Sequence, residues 1–340
     1  MNRVCSIVAQ LLQLVPRTEF EQAVKKHNAE RHARGFTCWG QFVAMLFCQL
    51  AHANSLREIC QGLAASEGKL KHLGVSRAPA RSSLSYANEH RPSQLYQTVF
   101  EGLLSRVQFQ VQGIHKRFRF TNRLLSTDST SIDLCAEVFN WAQYKRTKGA
   151  VKLDLVLDHA GYLPCFAHIT TGKVHDVGMG RKLRFAPGTI LAMDKGYVDY
   201  FWWKELDEDG VCFVTRLKQD LKYEVIDQRP VPERGNVRGD HLIEIPATAQ
   251  RPFKQLLRVK TFVGTSSNAL HIQVWAALIA ALLLKYMQFR AGAGLSLSNL
   301  VALLRQQLFV YRDPWQWLAD PFQAPPALTG IHDGQLTLEF

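Results

Sequence analysis

The chain has 340 residues, 47% of them hydrophobic and 21% charged, which suits about two ordinary domains with buried cores and excludes disordered and fibrous classes. Lysine and arginine outnumber aspartate and glutamate by 41 to 29, a formal charge of +12, with a pI near 9.5. That balance favours phosphate-rich partners but does not specify a fold.

Residues 1 to about 118 read as helical. Val4, Ile7, Val8, Leu11 and Leu12 recur with a helical period, and Phe42 to Leu50 is a candidate buried helix. Ser55-Leu-Arg-Glu58 matches a capping box, in which the serine oxygen accepts from a free backbone N–H while the glutamate reaches back. Gly74 and Pro79 predict a break, followed by helices over 82–90 and 94–104 on either side of Pro92. Residues 1–118 hold 15 Lys+Arg against 7 Asp+Glu, most of the excess charge. Short helices with a basic surface fit a DNA-binding domain of helix-turn-helix type, and equally a plain bundle with a solvated basic face.

From about 119 the pattern changes. Runs at 120–134, 151–157, 163–170, 189–193 and 211–216 read as strands, with Asp158-His-Ala-Gly161 a hairpin connection and a helix around 200–206. Three consecutive strands followed by strand–helix–strand is the ribonuclease-H-like arrangement, so the predicted class is α/β: a ribonuclease-H-like domain over 119–312 behind an all-helical one. Residues 222–245 form a polar stretch of weak strand character. Helices follow at 269–289 and 298–308, and a proline-rich tail over 313–340 is expected to wrap the surface or order only in part. The longest apolar run, Val274 to Leu284, has eleven residues, short of the roughly 20 a membrane span needs. It predicts a core helix, no membrane association and a cytoplasmic protein. The seven cysteines include no C-x-x-C pair and read as reduced, buried thiols.

Two carboxylates stand where strands should bend or end. Asp128 lies inside the apolar run Leu-Leu-Ser-Thr-Asp128-Ser-Thr-Ser-Ile, where an ionised group is costly unless paired or bound to metal. Asp194 follows Ile-Leu-Ala-Met and precedes Lys-Gly, at the carboxyl end of a strand where α/β sheets place their sites. On neighbouring strands, the pair could share Mg²⁺ or Mn²⁺, because such hard ions prefer carboxylate, water and phosphate oxygens. Two such ions clamp the attacking and leaving oxygens of a phosphoryl displacement. Taken singly, each residue also fits a turn or cap, and His175-Asp176 reads as a loop pair.

These residues sit within a longer resemblance. Val15-Pro-Arg17, Arg34-Gly-Phe-Thr-Cys-Trp39, Ser55-Leu-Arg-Glu-Ile59, Leu84-Ser-Tyr-Ala-Asn88, Asp128-Ser-Thr130, Arg146-Thr-Lys-Gly-Ala-Val-Lys152, Asp158-His-Ala-Gly-Tyr-Leu-Pro164, Gly172-Lys-Val-His-Asp176, Asp194-Lys-Gly-Tyr-Val-Asp199 and Val259-Lys-Thr-Phe-Val-Gly-Thr265 occur in order. The chain resembles the bacterial cut-and-paste DDE transposases of the insertion-sequence-four family. The resemblance implies a helical DNA-binding domain before the catalytic one, Asp128 and Asp194 as the first two metal-binding acids, and strand cleavage and transfer on double-stranded DNA. The DNA partners would be terminal inverted repeats and target sites, held by a homodimer at the nucleoid.

The third acid of that family lies in a Tyr-x2-Arg-x3-Glu-x6-Lys signature on a helix after a β-rich insertion, and the signature is absent here. Phe253-Lys-Gln-Leu-Leu resembles only its trailing end, which implies an internal deletion joining near Arg251-Pro252, with a truncated insertion at about 222–252 and a helix restarting at Pro252. From Ala247 to Arg312 there are eight Lys+Arg and no Asp or Glu. Glu233 and Glu244 could substitute only through a rearrangement that nothing in the sequence indicates. The expectation is therefore a transposase by descent with impaired chemistry. The alternative is a non-catalytic DNA-binding relative that regulates or inhibits intact copies.

Overall fold

A computed structural model describes residues 6–31, 33, 35–66, 68–111, 120–134, 143–145, 148–161, 163–171, 176–216, 223–230, 239–244, 266–291 and 295–321. The first part of the chain is helical: α1 (Ile7–Leu12), α2 (Arg17–Lys26), α3 (Cys38–Leu50), α4 (Leu56–Ala64), a short 3-10 turn at Leu70–Leu73, α5 (Arg81–His90) and α6 (Gln94–Val111). Local chemistry sets several of these boundaries. Ser55 Oγ accepts from Glu58 N at 3.2 Å, and the Glu58 carboxylate accepts from Asn54 N at 2.9 Å, so the predicted capping box starts α4. Gly74, at φ +73°, closes the 3-10 turn in the left-handed region that glycine favours. Helix α6 runs seven residues beyond the predicted end at 104.

The sheet follows: β1 (Leu124–Leu134), β2 (Gln143–Lys145), β3 (Lys148–Asp158), β4 (Leu163–Thr171), then α7 (Asp176–Gly180), β5 (Ile190–Met193), α8 (Tyr200–Glu208) and β6 (Cys212–Thr215). The strand order is β2-β3-β1-β5-β6, with β4 also along β3. β1, β3 and β4 are antiparallel, whereas β1, β5 and β6 are parallel. This mixed sheet fits the expected ribonuclease-H-like arrangement. A separate two-stranded ribbon, β7 (Glu224–Arg229) with β8 (Asp240–Glu244), occupies part of the polar stretch. The proposed join at 251–252 and the helix start at Pro252 lie outside the described residues, as do His175 and tail residues 322–340.

The chain closes with α9 (Ser267–Ala291), α10 (Leu297–Gln307) and α11 (Pro314–Ala319). The Asp313 carboxylate accepts from Trp315 N and Gln316 N and caps α11, with Pro314 in the first helical position. By length and composition α9 could cross a membrane, but 61% of its most apolar window is buried inside the protein. It is apolar on all sides because neighbours surround it.

Ile272, Ile279, Leu282, Leu283 and Met287 of α9 share one core with Ile7, Phe42, Met45, Leu84 and Phe100 from the N-terminal helices. Leu163 and Ala167 of β4 and Leu318 of α11 join the same core. The helices before 111 therefore pack around a helix that follows the sheet in sequence. The opposite sheet face has its own core, where Leu125, Val156, Leu191 and Met193 pack on Trp202, Trp203 and Leu206.

Two expectations need correction. Cys38 and Cys48 are buried, and burial pushes both thiols up to about 12, but Cys212 is exposed. Asp128 sits in an apolar run yet is solvent-exposed, so the burial cost anticipated from its neighbours does not arise. Strand alternation turns Leu125 and Thr127 into the α8 side and Asp128 out of the other.

Candidate active site

The parallel ladders place Asp128 and Asp194. Thr127 of β1 is paired with Met193 of β5, and Met193 with Thr215 of β6. Asp128, Asp194 and Arg216 are the next residues on each strand, so they form a row across three adjacent strands, within β1 and just past the ends of β5 and β6, about 4.8 Å apart per strand. Asp194 keeps extended backbone (φ −77°, ψ 160°) before a 3-10 turn at Lys195–Tyr197. Its side chain thus continues the alternation of β5 and falls on the Asp128 side of the sheet.

Each carboxylate has a defined partner. Asp128 Oδ1 accepts from Ser129 N at 2.8 Å. Asp194 Oδ1 accepts from Arg216 Nη2 at 2.7 Å, the side chains being 31% and 77% exposed. Partial burial of Asp194 raises its proton affinity, but hydrogen bonds from Arg216 and the Lys195 backbone, with the positive charges of both residues, outweigh it and hold the carboxyl below its ordinary range. Asp194 is therefore ionised across the physiological range.

Behind the row, on the other face, lies a buried polar layer. Tyr197 is 2% exposed, and burial pushes its phenol up to about 12, beside Thr127 and Ser129. Lys152 and Asp154, 6% and 3% exposed, lie 3.9 Å apart on β3. Burial raises the Asp154 carboxyl, against the pull of Lys152, His168 and the Thr170 hydroxyl. These groups lie on the face opposite Asp128 and Asp194.

No cluster of three or more His, Cys, Asp or Glu side chains occurs among the described residues. Helix α9, packed on the carboxylate side of the sheet, has no acidic residue along its length. Glu233 falls outside the described residues; Glu244 ends β8, and its side chain is also outside them. The two acids suit a hard divalent cation in donor type, both offering carboxylate oxygens on neighbouring strands. Arg216 is the site residue that sequence reading missed. Its signal was its place at the end of Cys-Phe-Val-Thr, the position Asp194 holds on its own strand, but only the β5–β6 register makes them neighbours.

Residues 119–263 match the family model described as Transposase DDE domain. This part of the chain is similar to transposase DDE domains. Residues 4–76 match a second model, Domain of unknown function (DUF4372). The chain is 26% identical over 260 residues to "Putative transposase y4zB" of Sinorhizobium fredii, covering 61% of this chain and 71% of that protein. It is 23% identical over 271 residues to "Probable transposase for insertion sequence element IS5377" of Geobacillus stearothermophilus, covering 64% and 70% respectively. A solved piggyBac transposase synaptic complex with hairpin DNA covers 95% of this chain and 83% of its own at a TM-score of 0.45 and 10% identity. The DDE match spans both Asp128 and Asp194.

Proposed function

We propose that this protein binds the ends of a bacterial insertion element as a transposase of the insertion-sequence-four type, with strand cleavage and transfer impaired by loss of the third acid. The observation that carries the reading is the row of Asp128, Asp194 and Arg216 beside a helix without a carboxylate. The acid-free sequence from 247 to 312 supports it, and so does the match of 119–263 to transposase DDE domains.

Asp128 and Asp194 would hold Mg²⁺ or Mn²⁺, which when bound supplies Lewis-acid stabilisation of the oxygens exchanged at phosphorus. Asp194 is already ionised and needs no deprotonation to act as a ligand. Arg216 lies next to it with most of its guanidinium in solvent, and its planar fork suits a DNA phosphate oxygen. Two acids leave the ion geometry under-determined. Losing a residue that merely orients metal ligands typically costs 10–100-fold, and losing a ligand itself costs more. The basic helices of 1–118 would supply most of the DNA affinity, with two copies holding two element ends in the nucleoid. The missing acid also favours a second reading, in which the chain occupies ends without cutting and poisons intact transposase by mixed assembly.

The test is a nicking assay on duplexes carrying the flanking terminal repeats, with Mg²⁺ and separately with Mn²⁺. The expected result is retained binding with cleavage no greater than that of Asp128→Ala. Cleavage by the natural chain that Asp128→Ala abolishes would overturn impairment. Failure to bind any duplex would overturn both readings.

A further inference from the structure

Helices α3, α4 and α5 pack against one another, and α5 also packs on α9. Leu84, Ala87 and Asn88 face inward, while Arg81, Ser82, Ser85, Tyr86, Glu89 and His90 are exposed. The exposed side is unusual for a solvated helix. Tyr86 is 65% exposed and stacks on His90, with ring centroids 4.0 Å apart and planes at 17°. Glu89 is its only acid and sits at the C-terminal end. Arg77, just before the helix, is also exposed, and neither Arg77 nor Arg81 forms an ion pair among the described residues. The start of α5 thus carries exposed positive charge at Arg77 and Arg81, next to a helix side bearing hydroxyls and an aromatic ring.

The far end of α5 is fixed. Asn268, at the start of α9, donates to the main-chain carbonyls of Asn88 (2.9 Å) and Arg91, and accepts from Ser93 N at 3.2 Å. Asn88 in turn accepts from Gln41 Nε2 of α3 at 2.8 Å. The exposed side of α5 thus holds a fixed orientation relative to the helix that covers the Asp128 face of the sheet.

Resting on the DNA-binding reading above, we propose that α5 is the helix that enters the major groove of the duplex. A single helix fits a groove about 12 Å wide. Arg77 and Arg81 contact phosphates at its N-terminal end, and Ser82, Ser85 and Tyr86 face base edges. The partner is double-stranded DNA because free positive charge at the helix entrance matches phosphate, and hydroxyls beside an exposed ring match the mixed polar and methyl surface of base edges.

The experiment measures binding of the full chain to a mixed-sequence duplex of about three helical turns by fluorescence anisotropy across about 50–200 mM salt. Arg77→Ala/Arg81→Ala is compared with Lys25→Ala/Lys26→Ala, which removes the same charge from exposed positions on α2. All variants are checked by circular dichroism for an unchanged fold. The expected result is a salt slope shallower by about two for the α5 pair, close to 0.9 per lost phosphate contact, with affinity reduced at least tenfold and the α2 pair unchanged. Tyr86→Ala should then reduce the preference for sequences selected from a random duplex pool. Equal binding and slope in the α5 pair and the natural chain would overturn the inference. So would equal losses in both pairs, which would mark a diffuse charge effect. Absence of duplex binding by the natural chain would instead remove the DNA-binding reading itself.

Discussion

Arg216 Nη2 lies 2.7 Å from Asp194 Oδ1, across the ends of two neighbouring parallel strands. The contact joins a carboxylate that the DDE reading uses to an arginine that the sequence did not single out. Because the pair is largely exposed, it contributes little stability, about 0–1 kcal/mol. Its larger effect is on the proton affinity of Asp194.

Arg216→Ala should therefore raise the Asp194 titration midpoint towards its ordinary value of 3.8. The depressed folded-state value means that the stabilisation is present above 3.8 and is lost as pH falls through the lower folded value. Carboxyl-carbon NMR titration of natural and variant chains checks this. An unchanged midpoint would show that Arg216 does not hold the group.

His271 gives the opposite kind of signal. Burial lowers its imidazole below the ordinary 6.5; the Ser267 backbone opposes this and His168 adds to it. In the range between its folded value and 6.5 the unfolded chain binds more protons, so stability should fall as pH drops below 6.5. His271→Gln should flatten that part of the curve. Urea unfolding between pH 5 and 7.5 provides the measurement, and identical slopes in the two chains would contradict the assignment.

Gly180 closes α7 against the indole of Trp202, which is 1% exposed. A Cβ at this position would come within 2.9 Å of the ring. A fixed indole cannot yield as a flexible chain end would, so Gly180→Ala should cost about 1–3 kcal/mol through overpacking. Thermal or urea melts should show the loss, and Trp202 fluorescence should shift with it. A neutral substitution would mean that the ring repacks freely.

Asn268 is bonded to three main-chain groups around the α5–α6 corner. Asn268→Ala leaves those groups without their partner in a part-buried site, at a cost of roughly 1–3 kcal/mol. Hydrogen exchange should accelerate first at Ser93 N, whose acceptor is removed. Unchanged protection there would argue that the corner is held by packing alone.

What the sequence made legible was mostly local. The capping box at Ser55 and Glu58, the strand runs and the hairpin at Asp158–Gly161 follow from neighbours in the chain, and β3 and β4 pair antiparallel as that hairpin requires. Asp194 at a strand end was readable for the same reason. The exposure of Asp128 was not, because the apolar letters on either side of it alternate between two faces. Arg216 was missed because its role depends on the pairing of β5 with β6, separated by α8. The shared core was missed because it joins Phe42 and Phe100 to Ile272 and Leu283 across the whole intervening sheet segment.

That core also bears on synthesis. Ribosomes deliver α1 to α6 first, yet the helix around which those elements close, α9, is made only after the whole sheet. Until then the apolar sides of α3 and α6 lack their central partner. The basic helices would therefore acquire their final arrangement only after the sheet and α9 have both been made.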